Sequence, residues 1–169
     1  LSCGVSAGPG NSVLVTAARV LGFYEGICLD PGATSTLPWP EVDRVTVQSN
    51  AYGVTVYSGQ AEITNNYVVY TNRTGVYGFD DATVLALNNT FLGNSFGGDE
   101  ADRDAALSLG AGGASVVRNN TVTSNLFGMQ CAGCLATWDH NNVWGNTTNH
   151  AGDSSASSGD LSVDPLFVS

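Results

Sequence analysis

The chain has 169 residues, a formal net charge of −10 and only 12% charged residues. This length predicts one domain that is large enough to bury a hydrophobic core. An acidic surface repels nucleic-acid phosphates and anionic lipids, which argues against nucleic-acid binding. No apolar run reaches the roughly 18 residues that span a bilayer, so the sequence also argues against membrane insertion.

The N-terminal residues 1–25 are predicted to form either a first coil or a cap. Ser12–Val15 favours a strand, whereas Ala17–Leu21 favours a helix, and both interpretations stay open. The first residues lack the basic and apolar parts of a signal peptide. Two explanations remain, namely a signal that has been removed or a chain that is an excised fragment of a longer one.

Four cysteines form an even set, which predicts two disulfides and an oxidising compartment, and hence a secreted or cell-surface protein. They allow three connectivities, of which proximity in sequence favours Cys3–Cys28 and Cys131–Cys134. A redox pair or half a zinc site is the alternative interpretation of the second pair. A structural disulfide is favoured there because Cys131 falls in an inward column of the repeat described next.

A repeat occupies residues 26–150 of the chain. Four segments superpose on one asparagine column, with spacings of 23, 31 and 21 residues, at Asn66, Asn89, Asn120 and Asn141. Apolar residues lie three positions before and two positions after each of these asparagines. A second polar column follows five positions after the first, at Thr71, Asn94, Asn125 and Asn146.

A further four-residue block recurs in five repeats, beginning at Gly26, Gly53, Gly75, Ala106 and Gly128. Its second and fourth residues are expected to face inward, because strand side chains alternate with a period of two. Each repeat therefore predicts three short strands. Since one repeat has too few apolar residues to bury its own face, neighbouring repeats must stack, and stacked asparagines can then hydrogen-bond to one another.

These residues resemble the right-handed parallel β-helix repeat of pectate lyases, polygalacturonases and bacterial secreted β-helix proteins. Residues 160–168 are similar to the closing segment of large secreted members, where further sequence usually follows. The resemblance implies an all-β, single-stranded parallel β-helix of about five to six coils of 21–31 residues. It would form one domain over residues 1–169, with regular coils in 26–150 and a closing segment in 151–169.

One repeat is longer than the others by about nine residues, through an insertion at residues 95–105. The insertion holds four acids, Asp99, Glu100, Asp102 and Asp104. Carboxylates at this density suggest a Ca²⁺ or ligand site, because Ca²⁺ prefers oxygen ligands. The alternative is a solvated polar loop in which Arg103 pairs with one or two of the acids. No other cofactor is predicted.

Asp80 and Asp81 form a second acidic pair and are the weak catalytic candidates. They resemble the Asp-Asp pair of polygalacturonases, and paired carboxylates suit glycoside hydrolysis. The Gly-His-Gly and Arg-Ile-Lys motifs of that family are missing, and Asp also favours turns, so a turn is the preferred interpretation. His140, which follows Asp139, is interpreted as an exposed polar residue.

Taken with the missing catalytic motifs, the repeat favours a non-catalytic extracellular module. Its role would be structural, adhesive, filament-forming or carbohydrate-binding. The expected partner is carbohydrate, or a second copy of the chain that joins at the open coil ends. The alternative hypothesis is a polysaccharide-active enzyme, a glycoside hydrolase or lyase that uses an acidic groove.

Overall fold

The computed structural model of the chain describes residues 2–32, 38–79, 81–97 and 104–167. Within these ranges there are 19 strands and no helix, and every strand pairing is parallel. The strands form three sheets, which we call the first, second and third sheets. The chain visits them in turn, so each circuit adds one strand to every sheet.

The first sheet has seven strands: β1 Cys3–Ala7, β4 Glu25–Leu29, β7 Tyr52–Val56, β10 Val76–Gly78, β13 Leu107–Leu109, β16 Phe127–Cys131 and β19 Thr148–Gly152. The second sheet has six strands: β2 Leu14–Thr16, β5 Glu41–Asp43, β8 Gln60–Thr64, β11 Thr83–Leu87, β14 Val116–Arg118 and β17 Thr137–Asp139. The third sheet also has six: β3 Arg19–Leu21, β6 Thr46–Gln48, β9 Tyr67–Val69, β12 Thr90–Leu92, β15 Thr121–Thr123 and β18 Asn142–Trp144.

This arrangement confirms the predicted solenoid of about six coils. The N-terminal stretch that the sequence left open forms β2 and β3, so residues 11–22 belong to a first coil and not to a capping helix. Both favoured disulfides are present, Cys3–Cys28 and Cys131–Cys134, and the chain has no free cysteine. The first disulfide joins the first strand of the first sheet to the next strand of that sheet.

The core consists of inward columns that run from coil to coil. On the first sheet one such column is fully buried and contains Ile27, Val54, Val76, Leu107 and Met129, each 0% exposed. β-Branched side chains dominate because they pack well on a pleated surface. Stacking therefore supplies the continuous core that a single repeat lacks.

The bend between the second and third sheets combines two residue types. Its first residue takes a left-handed backbone conformation, as at Asn65 (φ 58°), Asn88 (φ 56°) and Asn119 (φ 56°). Asparagine tolerates that conformation better than most residues. The next residue points inward and is an asparagine in four successive coils, Asn66, Asn89, Asn120 and Asn141, each at most 3% exposed.

These four asparagines form a hydrogen-bonded ladder. The backbone N–H and the side-chain amide of Asn66 both donate to Asn89 Oδ1, at 2.9 and 3.0 Å. Asn89 donates in the same way to Asn120, and Asn120 to Asn141. The ladder ends at the closing segment, where Asn141 donates its backbone N–H to Asp160 Oδ1 at 2.6 Å. A second ladder links Thr71, Asn94, Asn125 and Asn146 at the next bend.

The outward column of the first sheet is more buried than strand alternation by itself indicates. Thr55 and Ser108 alternate with inward residues as expected, yet they are only 1% and 0% exposed. Tyr77 lies between them in register, and its ring contacts those of Tyr52 and Phe79. Aromatic side chains thus accumulate on this face of the first sheet, and sequence alternation alone does not report that.

Candidate functional site

The face of the first sheet carries a cleft of about 200 Å³, which we call the aromatic cleft. Three successive coils supply its walls. The lining residues are Tyr24, Glu25, Tyr52, Tyr57, Tyr77 and Phe79. They come from β4, β7 and β10 and the residues next to those strands, so the parallel register of the sheet holds them together.

Neighbouring aromatic rings of the cleft contact one another. Tyr57 and Phe79 follow the register partners Val56 and Gly78, so they stack one coil apart, with ring centroids 5.0 Å apart. Tyr77 lies 4.4 Å from Phe79. Tyr24 and Phe79 nevertheless stay 45% and 37% exposed. The cleft therefore presents aromatic surface to solvent in a fixed arrangement.

One carboxylate, that of Glu25, lies in this aromatic surrounding and is only 5% exposed. Tyr57 donates its hydroxyl hydrogen to Glu25 Oε1 over 2.5 Å. The other oxygen lies 3.2 Å from Cys28 Sγ and 3.5 Å from Cys3 Sγ. Those sulfurs form a disulfide and carry no hydrogen to donate. Among the described residues no Arg or His pairs with this carboxylate.

The surroundings raise the pKa of two of the four phenols that line the cleft. Burial raises the pKa of Tyr52 to about 12, because a phenolate would lose solvation there. Burial also raises the pKa of Tyr57 far above its ordinary value, and the hydrogen bond to Glu25 adds to that rise. Both phenols therefore stay protonated at neutral pH, and the Tyr57 hydroxyl donates to Glu25.

The insertion reaches the edge of the aromatic cleft through Asp104. The carboxylate of Asp104 is 1% exposed and accepts a hydrogen bond from Arg73 Nε over 2.8 Å and another from Thr74 Oγ1 over 3.1 Å. The guanidinium carbon of Arg73 lies 5.3 Å from the centre of the Tyr52 ring. Arg73 therefore joins the end of the insertion to one wall of the cleft.

A second cleft of about 330 Å³ adjoins the first and shares Tyr57 with it. The disulfide Cys3–Cys28 and Asp30 line it as well. Asp30 accepts a hydrogen bond from Ser58 Oγ at 2.6 Å. The two clefts together present two carboxylates, Glu25 and Asp30, and an aromatic wall that spans three successive coils of the first sheet.

The acids that the sequence singled out do not converge in the described structure. Asp80, Asp99, Glu100 and Asp102 lie outside the described residues. Asp81 occupies a turn with φ 66° after β10, whereas Asp104 bonds to residues that precede β10. These two carboxylates thus lie at opposite ends of that strand. The catalytic pair and the Ca²⁺ site stay predictions.

Two further clusters carry titratable groups. Cys3, Glu25 and Cys28 bring ligand atoms within 4.8 Å of one another, but the disulfide leaves no thiolate to bind a metal ion. His140 Nδ1 lies 2.6 Å from Asp139 Oδ1, so these two neighbouring side chains contact each other. Arg118 pairs with the same carboxylate and is the main cause of the lowered pKa of Asp139.

Sequence reasoning missed the aromatic cleft, although a signal was present. Aligned blocks place Tyr57 and Phe79 in one column, and Tyr52 and Tyr77 flank the same strand position in successive coils. A search for aromatic residues clustered next to one strand block, and not only for acids, would have found this face of the first sheet.

A family model described as the right handed beta helix region matches residues 3–164. No curated protein and no solved structure matched the chain. Across the described residues, no helix has the length and apolar character needed to cross a membrane. The family match covers nearly the whole chain and agrees with the three parallel sheets.

Proposed function

Because the chain belongs to the family of right-handed β-helix regions, we propose that it is a secreted or cell-surface β-helix module that binds carbohydrate in the aromatic cleft. The observation that carries this proposal is the buried Glu25 carboxylate enclosed by Tyr and Phe rings. The two disulfides support the extracellular location, since disulfides persist in oxidising compartments.

The chemistry of the cleft suits a sugar ring. Aromatic faces bury the C–H surface of a pyranose, and a few placed polar groups then fix its orientation. Glu25 accepts hydrogen bonds from sugar hydroxyls, and charge-assisted bonds of this kind are the stronger ones. The volume of about 200 Å³ lies below the roughly 300–1,000 Å³ of drug-sized pockets, which favours one sugar unit over an enclosed polymer segment.

The test is binding to a panel of soluble oligosaccharides and polysaccharides, measured by calorimetry and affinity electrophoresis. Tyr24→Ala, which removes a 45% exposed ring from the cleft, is expected to weaken binding about three- to tenfold. Tyr67→Ala removes a 41% exposed ring from the third sheet and is the matched control. Absence of binding across the panel, or equal losses in both variants, would reject the cleft as a carbohydrate site.

A further inference from the structure

We propose that the aromatic cleft selects a sugar that carries a positively charged amino group over neutral sugars and uronic acids. This inference deepens the carbohydrate-binding proposal and rests on it. It names the charge of the ligand, which the shape of the cleft by itself does not specify.

The first argument is the charge of Glu25, which has no counter-ion in the described structure. A carboxylate that is 95% buried loses most of its hydration, and such charges are ordinarily paired. Glu25 has one hydroxyl donor, Tyr57, and its second oxygen faces disulfide sulfurs that carry no hydrogen. An ammonium group has three N–H donors and a full positive charge. It therefore supplies the hydrogen-bond donors and the counter-charge that the described residues do not provide to Glu25.

The second argument is the aromatic lining of the cleft. Ring faces are electron-rich and attract cations within about 6 Å of the ring centre, most strongly where water is excluded. Arg73 already shows this preference, since its guanidinium lies 5.3 Å from the centre of Tyr52. The remaining tyrosine and phenylalanine rings line the same cleft as the buried carboxylate. A cation in the cleft would therefore contact both ring faces and Glu25.

The third argument is the local balance of charge. Arg73 is paired with Asp104, so the two leave no net positive charge at the rim. Asp30 adds a negative charge in the adjoining cleft, and the whole chain carries a net charge of −10. A uronate would meet repulsion from Glu25 and from the surrounding field, whereas an amino sugar would be attracted.

The experiment compares three oligosaccharides of equal length at about pH 6, where a sugar amine is protonated. They are a glucosamine oligomer, its fully N-acetylated counterpart and an oligogalacturonate, and calorimetry measures their affinities for the intact protein. The glucosamine oligomer is expected to bind about tenfold more tightly than the acetylated one. The oligogalacturonate is expected to bind least. Tetramethylammonium is expected to compete with the glucosamine oligomer.

Two variants locate the charge that matters. Glu25→Gln keeps the size of the side chain and removes its charge, so the preference for the amine should fall to near unity. Glu62→Gln removes the same charge from β8 on the second sheet and should leave the preference intact. Tyr57→Phe tests the cleft if Glu25→Gln folds poorly, and the wild-type comparison needs no variant at all.

The outcomes separate the two proposals. Equal affinity for the amine and its acetylated counterpart, or a preference that Glu62→Gln abolishes as fully as Glu25→Gln, overturns the charge selection and leaves carbohydrate binding standing. If none of the three oligosaccharides nor the wider panel binds, the carbohydrate-binding proposal fails first. If tetramethylammonium binds while none of the sugars does, the selection of an amino sugar as the ligand is overturned.

Discussion

At the scale of single residues, the inward asparagines allow the coil to bend without leaving buried polar groups unpaired. Asn89 shows how: its Oδ1 accepts from the coil before it, while its amide donates to Ile63 O at 2.7 Å and to Asn120 Oδ1 at 3.0 Å. Only a planar amide has both an acceptor and two donors at this reach. Asparagine therefore recurs at this column while its neighbours vary.

Asn89→Ala is expected to lower the free energy of unfolding by about 2–4 kcal/mol, because it leaves several buried backbone and side-chain groups without partners. Urea denaturation followed by circular dichroism measures the change. The matched control is Asn88→Gly at the preceding, exposed position, where φ is 56° and glycine fits without strain. A loss in the control as large as that in Asn89→Ala would contradict the ladder's role.

His150 belongs to the residue scale as well, because it continues the inward column after Met129. Burial lowers the pKa of His150, and no described group bonds to its buried Nδ1. A base whose folded-state pKa is lowered contributes stability above its unfolded value of about 6.5, and this contribution is lost as pH falls through the folded value.

The melting temperature of the protein is therefore expected to fall between about pH 7 and pH 5, and His150→Gln should remove that part of the fall. His140→Asn is the control, since it replaces a histidine that is 60% exposed at a position with φ 54°. It should keep the acid-side loss. An unchanged pH profile in His150→Gln would show that His150 is not responsible.

At the scale of strands, glycine sets how closely successive coils approach at the start of four of the five repeated first-sheet blocks. A Cβ at Gly53 would lie 2.3 Å from Gly75 O, and a Cβ at Gly75 would lie 2.4 Å from Ala106 O. Both distances are to backbone atoms, which move only if the sheet moves. Four of the five blocks begin with a glycine that this spacing between coils requires, namely Gly26, Gly53, Gly75 and Gly128, whereas the fourth block begins with Ala106.

Gly75→Ala is expected to lower the free energy of unfolding by about 3 kcal/mol or more, since the new methyl group must push two coils apart. Gly8→Ala provides the control because no atom lies within 4 Å of the Cβ that it adds. That variant should keep or slightly raise stability. Thermal and urea unfolding of both proteins make the comparison, and equal stability in the two variants would contradict the close approach.

At the scale of the whole molecule, the solenoid has two different ends. Asp160 closes the asparagine ladder, since its Oδ1 accepts from the backbone N–H and, at 3.2 Å, from the side-chain amide of Asn141. At the other end, the disulfide Cys3–Cys28 fastens β1 to β4. Coils contact mainly their immediate neighbours, so a defect at one end is expected to stay near that end.

Asp160→Ala is expected to speed amide hydrogen exchange in β17 and β18 while leaving β5 and β6 unchanged, because it removes the acceptor that closes the ladder. Mass spectrometry of peptides from the two regions measures the exchange. Asp164→Ala, which removes an exposed contact to the backbone of Leu166, should change neither region. Faster exchange throughout the molecule would contradict the nearest-neighbour behaviour.

The features of this protein that repeat along the chain could be predicted from the sequence, whereas the candidate site, which does not repeat, could not. Asn66, Asn89, Asn120 and Asn141 recur in register with apolar residues around them, so the coil, the inward columns and the stacking were predicted from this pattern. The disulfides followed from proximity. The candidate site did not follow. The sequence favoured a turn at Asp81 and placed Asp104 in the insertion, but only the structure shows that Asp104 is buried with Arg73 as its partner.

The sequence by itself determined the solenoid, because its periodic inward apolar and asparagine residues can be buried and hydrogen-bonded only when successive repeats stack. Only the tertiary structure decided which face of the solenoid carries the aromatic cleft. Tyr24, Tyr57 and Phe79 belong to different coils, and the parallel register brings them around Glu25. Periodicity specifies which side a residue faces, whereas the contacts across coils specify what it meets there.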